Sequence, residues 1–363
     1  RESDEEQKSQ VVRTSLHGKG DSSVCGLIAG LAVEAADGLV DLEGGDDLER
    51  MVVKRLQIRE GNVMDSSLVN GLMLLKSRVD ATSPENSDGG VVAIIDGGLE
   101  HAKLETDASI EVSSLGIMQE FHERSRENMQ KQVMHLSSLG VDLLVVRDGI
   151  DDEAISLMTK AGIVVYRRFE RSDMDLLSRI TGARPARSVS ALGDEDLGTY
   201  SKRGEERISD VKHTLIEGDG GGMTLVVRGS SSAVREEAIR IFDDAIGVAH
   251  RLNSRPGVLP GGGAIQSHLA RHLRSFSQTQ SGREQLAIEA YASALESIPR
   301  ILAENAGRDP VEVILSLSAD QRESGAWIGF DLQSGKNCDM GEMGILDTEF
   351  VVKHALSGAT EAA

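Results

Sequence analysis

The sequence has 363 residues, 39% of them hydrophobic and 27% charged, enough for a multi-domain globular chain with substantial cores. Its net charge of −20 leaves no basic stripe to neutralise phosphates, which argues against a nucleic-acid binder. No apolar run approaches the roughly 18 residues of a membrane span.

Two cysteines, Cys25 and Cys338, lie far apart and form no CxxC. With no secretory signal at the start, they point to a reducing, cytoplasmic interior and no disulfide framework. Lysine is scarce, 11 against 28 arginines. An acidic, lysine-poor surface fits a halophilic, salt-tolerant cytoplasm and fits an ordinary acidic protein equally well. The chain opens at Arg1 without an initiator methionine, so a segment of something longer is expected.

In chain order, residues 21–40 (DSSVCGLIAGLAVEAADGLV) carry apolar residues at helical spacing and predict a long helix. MVVKRLQI reads as a strand closed by Gly61 and Asn62. From about 90 to 182 the period switches repeatedly. GVVAIID and VDLLVVRDG are short apolar runs suited to buried strands. DDEAISLMTKAG predicts an amphipathic helix with acidic residues in its first turn and glycine at its end. IVVYRRF is the next strand and SDMDLLSRITGA another capped helix. This alternation implies βαβ units and a partly parallel sheet. A polar helix rich in methionine lies between the first two strands.

TLIEGDGGGMTLVVRG predicts two strands around a glycine turn. SSSAVREEAIRIFDDAIGVAHRL is a helix whose Val234, Ala238, Ile241, Ala245, Val248 and Leu252 form one apolar stripe, with Asp243 and Asp244 beside it. PGVLPGGGAIQSHLARHL then sets three glycines before another helix, without a GxxxxGK[ST] lysine or GxGxxG spacing. The rest is mostly helical: 264–278, 282–306 with a kink at Pro299, 309–319, a hairpin at WIGFDLQSG, and a last helix.

Three stretches, LVVRGSSSAVREEAIRIFDDAIGVA, GVLPGGGAIQSHLARHL and GREQLAIEAYASALESIPRILAENAG, together resemble the group II chaperonins, the archaeal thermosome and its eukaryotic cytosolic relatives. SDMDLLSRITGA, GIDDEAISLMTKAGIVVYRR and LETDASIEV look like the family's apical domain, and DMGEMGILDTEFVVKHAL like its C-terminal equatorial segment. The resemblance covers nearly the whole chain. It implies a multi-domain α/β and α+β architecture: a largely helical equatorial domain, a small α/β intermediate domain, and an α/β apical domain with a helical protrusion. On this resemblance 1–65 is the first intermediate segment, 66–218 the apical domain, 219–250 the returning intermediate segment and 251–363 the second equatorial segment. The sequence has no GDGTT, the family's phosphate and magnesium motif, so as it stands only part of an ATP site is expected.

The resemblance also assigns roles. Gly261, Gly262 and Gly263 would sit where a helix start meets the sugar and phosphates of ATP, with side chains absent to leave the ligand room. Asp244 matches the catalytic aspartate that orients or deprotonates the water attacking the γ-phosphate. Lys19 in HGKGD resembles the nucleotide-sensing lysine, and Asp331 and Asp347 fall where the family closes over ribose and base. Mg²⁺ is implied with ATP, and no metal ligands are expected in this chain itself. His268 and His272, at i and i+4, lack the glutamate of HExxH and read as a solvated face. The helix 116–135, with Met118, Phe121, Met129, Val133 and Met134, corresponds to the protrusion, where adaptable side chains suit varied unfolded chains.

The function implied is ATP-dependent folding of non-native polypeptides inside a double ring of chaperonin subunits, in the cytoplasm, with no nucleic acid or membrane involved. A substrate-binding or scaffold paralogue without ATPase activity is the alternative. A metabolic α/β enzyme has no substrate-site constellation to support it.

Overall fold

A computed structural model of the chain describes residues 5–38, 53–99, 115–208 and 210–363. The chain divides into two compact units: Arg1–Leu48 with Glu236–Ala363, and Glu49–Arg235. Among the described residues, no helix is long and apolar enough to cross a membrane.

The first unit opens with helices α1 (Glu5–Ser15) and α2 (Ser22–Gly38). α2 is the long helix its apolar spacing predicts, and it buries Cys25, Ile28, Ala29, Ala32, Ala35 and Ala36.

The second unit begins with β1 (Val53–Ile58), β2 (Ser67–Asn70), β3 (Leu72–Leu74) and β4 (Gly90–Ile95). Then come α3 (Leu115–Ser138), β5 (Leu143–Val146), α4 (Asp152–Lys160), β6 (Val164–Tyr166) and α5 (Arg171–Thr181). It closes with β7 (Gly198–Tyr200), β8 (Lys202–Ile208), β9 (Val211–Glu217) and β10 (Met223–Arg228). Its main sheet has the order β6-β5-β4-β7, with β4, β5 and β6 parallel and β7 antiparallel to β4. These are the expected βαβ units. Helices cover both faces, so the strands are apolar at successive positions. Ala93, Ile95, Leu144 and Val146 pack with Met129, Val133 and Leu136 of α3 and Ala154 and Met158 of α4. Val92, Ile94, Leu143 and Val145 pack with Met174, Leu177 and Ile180 of α5.

Parts of this unit depart from the expectations of the sequence. TLIEGDGGGMTLVVRG does hold two strands, but they do not pair: β9 lies in the sheet β3-β9-β8 and β10 in the sheet β1-β10-β2. The glycines between them serve close approach rather than a hairpin. A Cβ on Gly220 would stand 1.9 Å from the Arg179 carbonyl oxygen, and one on Gly218 2.6 Å from that of Ile180, at the C-terminal end of α5. In α3, Met129 and Val133 are core residues, whereas Met134, at 71% exposure, stands out to solvent. The α3 methionines are therefore partly anchors; the side chains of Met118 and Phe121, and the LETDASIEV stretch, lie outside the described residues.

The segment before β4 is fastened by buried charge. Arg203, 1% exposed, donates to the carbonyls of Pro84 (3.1 Å) and Glu85 (3.2 Å) and to the Tyr166 hydroxyl (3.4 Å). Arg78 is paired with the buried Glu205 carboxylate and with Glu85 at 3.0 Å.

The chain passes through α6 (Ser232–Ser254), whose Ala238, Ile241, Ala245 and Leu252 are buried, while Val234 at the start of the predicted stripe is exposed. There follow β11 (Val258–Pro260), α7 (Ala264–Ser277), α8 (Arg283–Leu295), α9 (Ser297–Asn305), α10 (Pro310–Ser324), β12 (Ile328–Asp331), β13 (Lys336–Asp339), β14 (Leu346–Thr348) and α11 (Glu349–Ala362). The expected helix 282–306 is two helices. The break falls at Glu296, and Pro299 sits in the first turn of α9, where its missing N–H is no loss.

Candidate functional site

The glycine triplet links β11 to α7, and the protein's own atoms explain why all three side chains are absent. Gly261 donates its N–H to the Ile345 carbonyl at 2.9 Å, and the Gly262 carbonyl accepts from Phe330 N at 2.9 Å. Gly262 and Gly263 have φ of +60° and +71°, the left-handed region that glycine enters without strain. A Cβ on Gly261 would stand 2.9 Å from Ile345 Cγ2, one on Gly262 2.6 Å from Met340 Sδ, and one on Gly263 2.7 Å from Pro299 Cβ. The protein's own packing is therefore sufficient reason for the three missing side chains. Strand, hairpin and helix crowd the turn from three sides.

What the turn leaves available is on its backbone. The N–H groups of Ile265 and Gln266, in the first turn of α7, have no acceptor among the described residues. Gln266 is buried with its Oε1 unpartnered as well. Orphan N–H groups at a helix start, aligned with the helix dipole, suit an anionic oxygen. In donor chemistry the turn thus fits the phosphates of a nucleotide.

The same contacts bring in the two expected aspartates. β14 pairs antiparallel with β11, and Asp347 stands opposite Leu259, two residues beyond the strand's tie to the triplet at Ile345. Asp347 has no hydrogen-bond or ion-pair partner among the described residues, and burial pushes its carboxyl above the usual range. An acceptor held without a partner is free to take hydroxyl donors. Asp331 follows Phe330 at the end of β12 and is 5% exposed. Its Oδ1 accepts from Gln333 N at 3.1 Å and its Oδ2 from Ser334 N at 2.9 Å. Those bonds, Ser334 foremost, hold its carboxyl below the usual range. Asp331 shapes the hairpin turn first.

Lys19 and Asp244 meet each other. Lys19 Nζ donates to Asp244 Oδ2 at 2.8 Å, with both side chains close to half exposed. The loop that presents Lys19 is built locally. Gly18 takes φ +81°, and Lys19 N bonds the Leu16 carbonyl at 3.1 Å. Gly20 lies against Ile241 of α6, where a Cβ would be 3.3 Å from Ile241 Cδ1. Asp21 Oδ1 then accepts from Ser23 N (2.9 Å) and Val24 N (3.3 Å) to start α2. Ile241 and Asp244 are three residues apart on α6, so the contact that seats the loop also brings Lys19 to the carboxylate.

The expected residues thus form two groups: Lys19 with Asp244, and the glycine turn with the strands of Asp331 and Asp347. Sequence reasoning missed the residues that build them, Asp21, Pro299, Phe330 and Ile345. Only Asp21 has a local signal, an aspartate directly before a helical pattern. The described residues contain no group of three or more His, Cys, Asp or Glu side chains that could hold a metal ion.

Comparison with known proteins gives concordant results. The family model described as the TCP-1/cpn60 chaperonin family matches residues 1–363. A thermosome subunit of Methanopyrus kandleri is 35% identical over 363 residues, covering 99% of this chain and 67% of that protein. Thermosome subunit 1 of Haloferax volcanii is 34% identical over 364 residues, covering 100% and 64%. The open-state monomer of a group II chaperonin from Methanococcoides burtonii superposes with a TM-score of 0.72 at 26% identity, over 99% of this chain and 84% of that one. The chain therefore spans about two thirds of the length of these curated relatives.

Proposed function

The chain belongs to the TCP-1/cpn60 chaperonin family, and on that footing we propose that it is part of a subunit that couples ATP hydrolysis to the folding of non-native polypeptides. In this reading it works in the cytoplasm of an archaeon, in a closed double ring with other subunits, and its charge is that of a salt-adapted surface. We keep the division into intermediate (1–65, 219–250), apical (66–218) and equatorial (251–363) segments as part of the proposal.

The observation that carries the nucleotide reading is the turn at Gly261–Gly263: among the described residues its neighbouring N–H groups are unused, and the Asp347 carboxylate on its partner strand has no partner. ATP, with Mg²⁺ on its phosphates, would supply the γ-phosphoryl group that water accepts. The first turn of α7 would bind phosphate oxygens, and Asp347 would accept from ribose hydroxyls. Asp244 would orient the attacking water and take its proton, since a carboxylate is a competent acceptor beside a neutralised phosphate chain. Lys19, an ammonium on a short loop, would exchange its carboxylate partner for the γ-phosphate and so register that the phosphate is present. The test is ATP binding and turnover of the full-length protein and its Asp244→Ala variant. Binding retained with turnover lost supports the reading; turnover absent from the wild type favours the scaffold alternative.

A further inference from the structure

On α7, beyond the glycine turn, lies a cavity of about 370 Å³ lined by His268, Arg271, His272, Ser275 and, from α10, Arg322. Four of its five lining side chains are basic or can become so, and none is acidic, in a chain of net charge −20. Neither arginine has an ion-pair partner among the described residues. Arg271 Nη1 is buried without a hydrogen-bond partner among the described residues, although burying an unpaired cationic donor is costly. Its Nη2 donates to His268 Nδ1 at 3.0 Å. A guanidinium can only donate, so that ring nitrogen accepts, and the imidazole is held neutral with its other nitrogen a donor. Burial, then Arg271 and His272, also hold the His268 pKa below its ordinary value. The expected solvated histidine face is therefore half a pocket: His272 is exposed, but His268 is not.

We infer that this pocket binds a phosphate-type oxyanion. Two guanidiniums from different helices offer the forked geometry that phosphate oxygens take, and Ser275 adds a hydroxyl donor. Such an ion would offset the mutual repulsion of the lining, where neither guanidinium has an ion-pair partner among the described residues. The site goes beyond the nucleotide reading and does not rest on it.

The test is calorimetric titration of the full chain with inorganic phosphate, with glycerol 3-phosphate, and with chloride at equal ionic strength. Saturable uptake of either phosphate, absent with chloride, is the expected result. Tighter binding of the free ion identifies it as the natural occupant; tighter binding of the ester identifies a phosphomonoester. R271Q and R322Q should each weaken uptake about tenfold or more. Arg322 is exposed, so R322Q keeps the test valid if R271Q fails to fold. ATP turnover in R322Q should remain at the wild-type level, which separates this site from the nucleotide one. Phosphate behaving as chloride does, or unchanged affinity in R322Q, overturns the proposal and leaves the nucleotide reading untouched.

Discussion

The two units differ in how their main elements cover apolar surface. In the unit of Glu49–Arg235, helices of the same unit cover both faces of the four-stranded sheet, and Leu143, Leu144, Val145 and Val146 are all fully buried. In the helical unit, α10 buries Val313, Ile314 and Leu317 yet leaves Val311 and Leu315 at 61% and 67% exposure. α8 and α9 do the same with Leu286 and Ile301. A helix apolar on more than one side is built for more than one neighbour. Closure differs accordingly: the four-stranded sheet is covered on both faces, although Met134 and Val234 stand exposed elsewhere in that unit, whereas the helical unit leaves apolar faces on α8, α9 and α10.

The largest effect that would sharpen this contrast is chemical. The helical unit carries the proposed chemistry, so Asp244→Ala in the full-length protein should lower ATP turnover about 10²- to 10⁴-fold while sparing nucleotide binding. Asp243→Ala, one position round α6, should stay within a few-fold of wild type. Equal damage from both would indicate a disturbed helix.

Next comes stability. Residues 49–235 expressed alone should unfold cooperatively, and Leu177→Ala, at a fully buried position of α5, should cost about 2–5 kcal/mol by denaturant titration. Leu315→Ser in the helical unit should change stability by no more than about 0.5 kcal/mol. Comparable costs for the two would erase the distinction. The isolated sheet unit should also slow aggregation of an unfolded test protein if it contains the client-binding surface.

A smaller effect sets two aspartates of the helical unit against each other. Asp331 is held below the ordinary carboxylate range, so its contribution is present above about pH 4 and lost as pH falls through its folded pKa. Asp347 is held above that range by burial, so its ionisation costs stability as pH rises from about 4 through its folded pKa. Asp331→Asn should therefore lower the melting temperature at pH 7, and Asp347→Asn should leave it unchanged or raise it. Both differences should shrink in acid; the same sign for both at pH 7 would contradict the assignment. Smallest, and shared by both units, is the response to salt. The Debye length falls from about 30 Å at 0.01 M to about 3 Å at 1 M, so a charge of −20 should make the melting temperature rise with potassium chloride.

Much of the sheet unit was legible because its code is local. GVVAIID and VDLLVVRDG are apolar without alternation, as two-sided burial demands, and the intervening helices have their own period. The pairing of β1 with β10 was not legible, since 164 residues separate Ile58 from Met223 and no local pattern encodes such a partner. The same limit applies at the site. Periodicity placed Asp244 beside the buried stripe of α6, but only the fold brings Lys19 to it from 225 positions away. The glycine triplet was visible at once, while the crowding by Ile345, Phe330 and Pro299 depends on chain that comes much later.

That crowding has a thermodynamic consequence for whatever the turn receives. Each of the three positions is wedged by a neighbour, two of them in a backbone conformation few residues tolerate, so the donors at the start of α7 are fixed as soon as the unit folds. A flexible glycine loop would have to surrender its freedom at the moment of binding, about 1–2 kcal/mol for each residue ordered. Here that entropy has already been given up in folding, and an incoming anion meets a preorganised cradle.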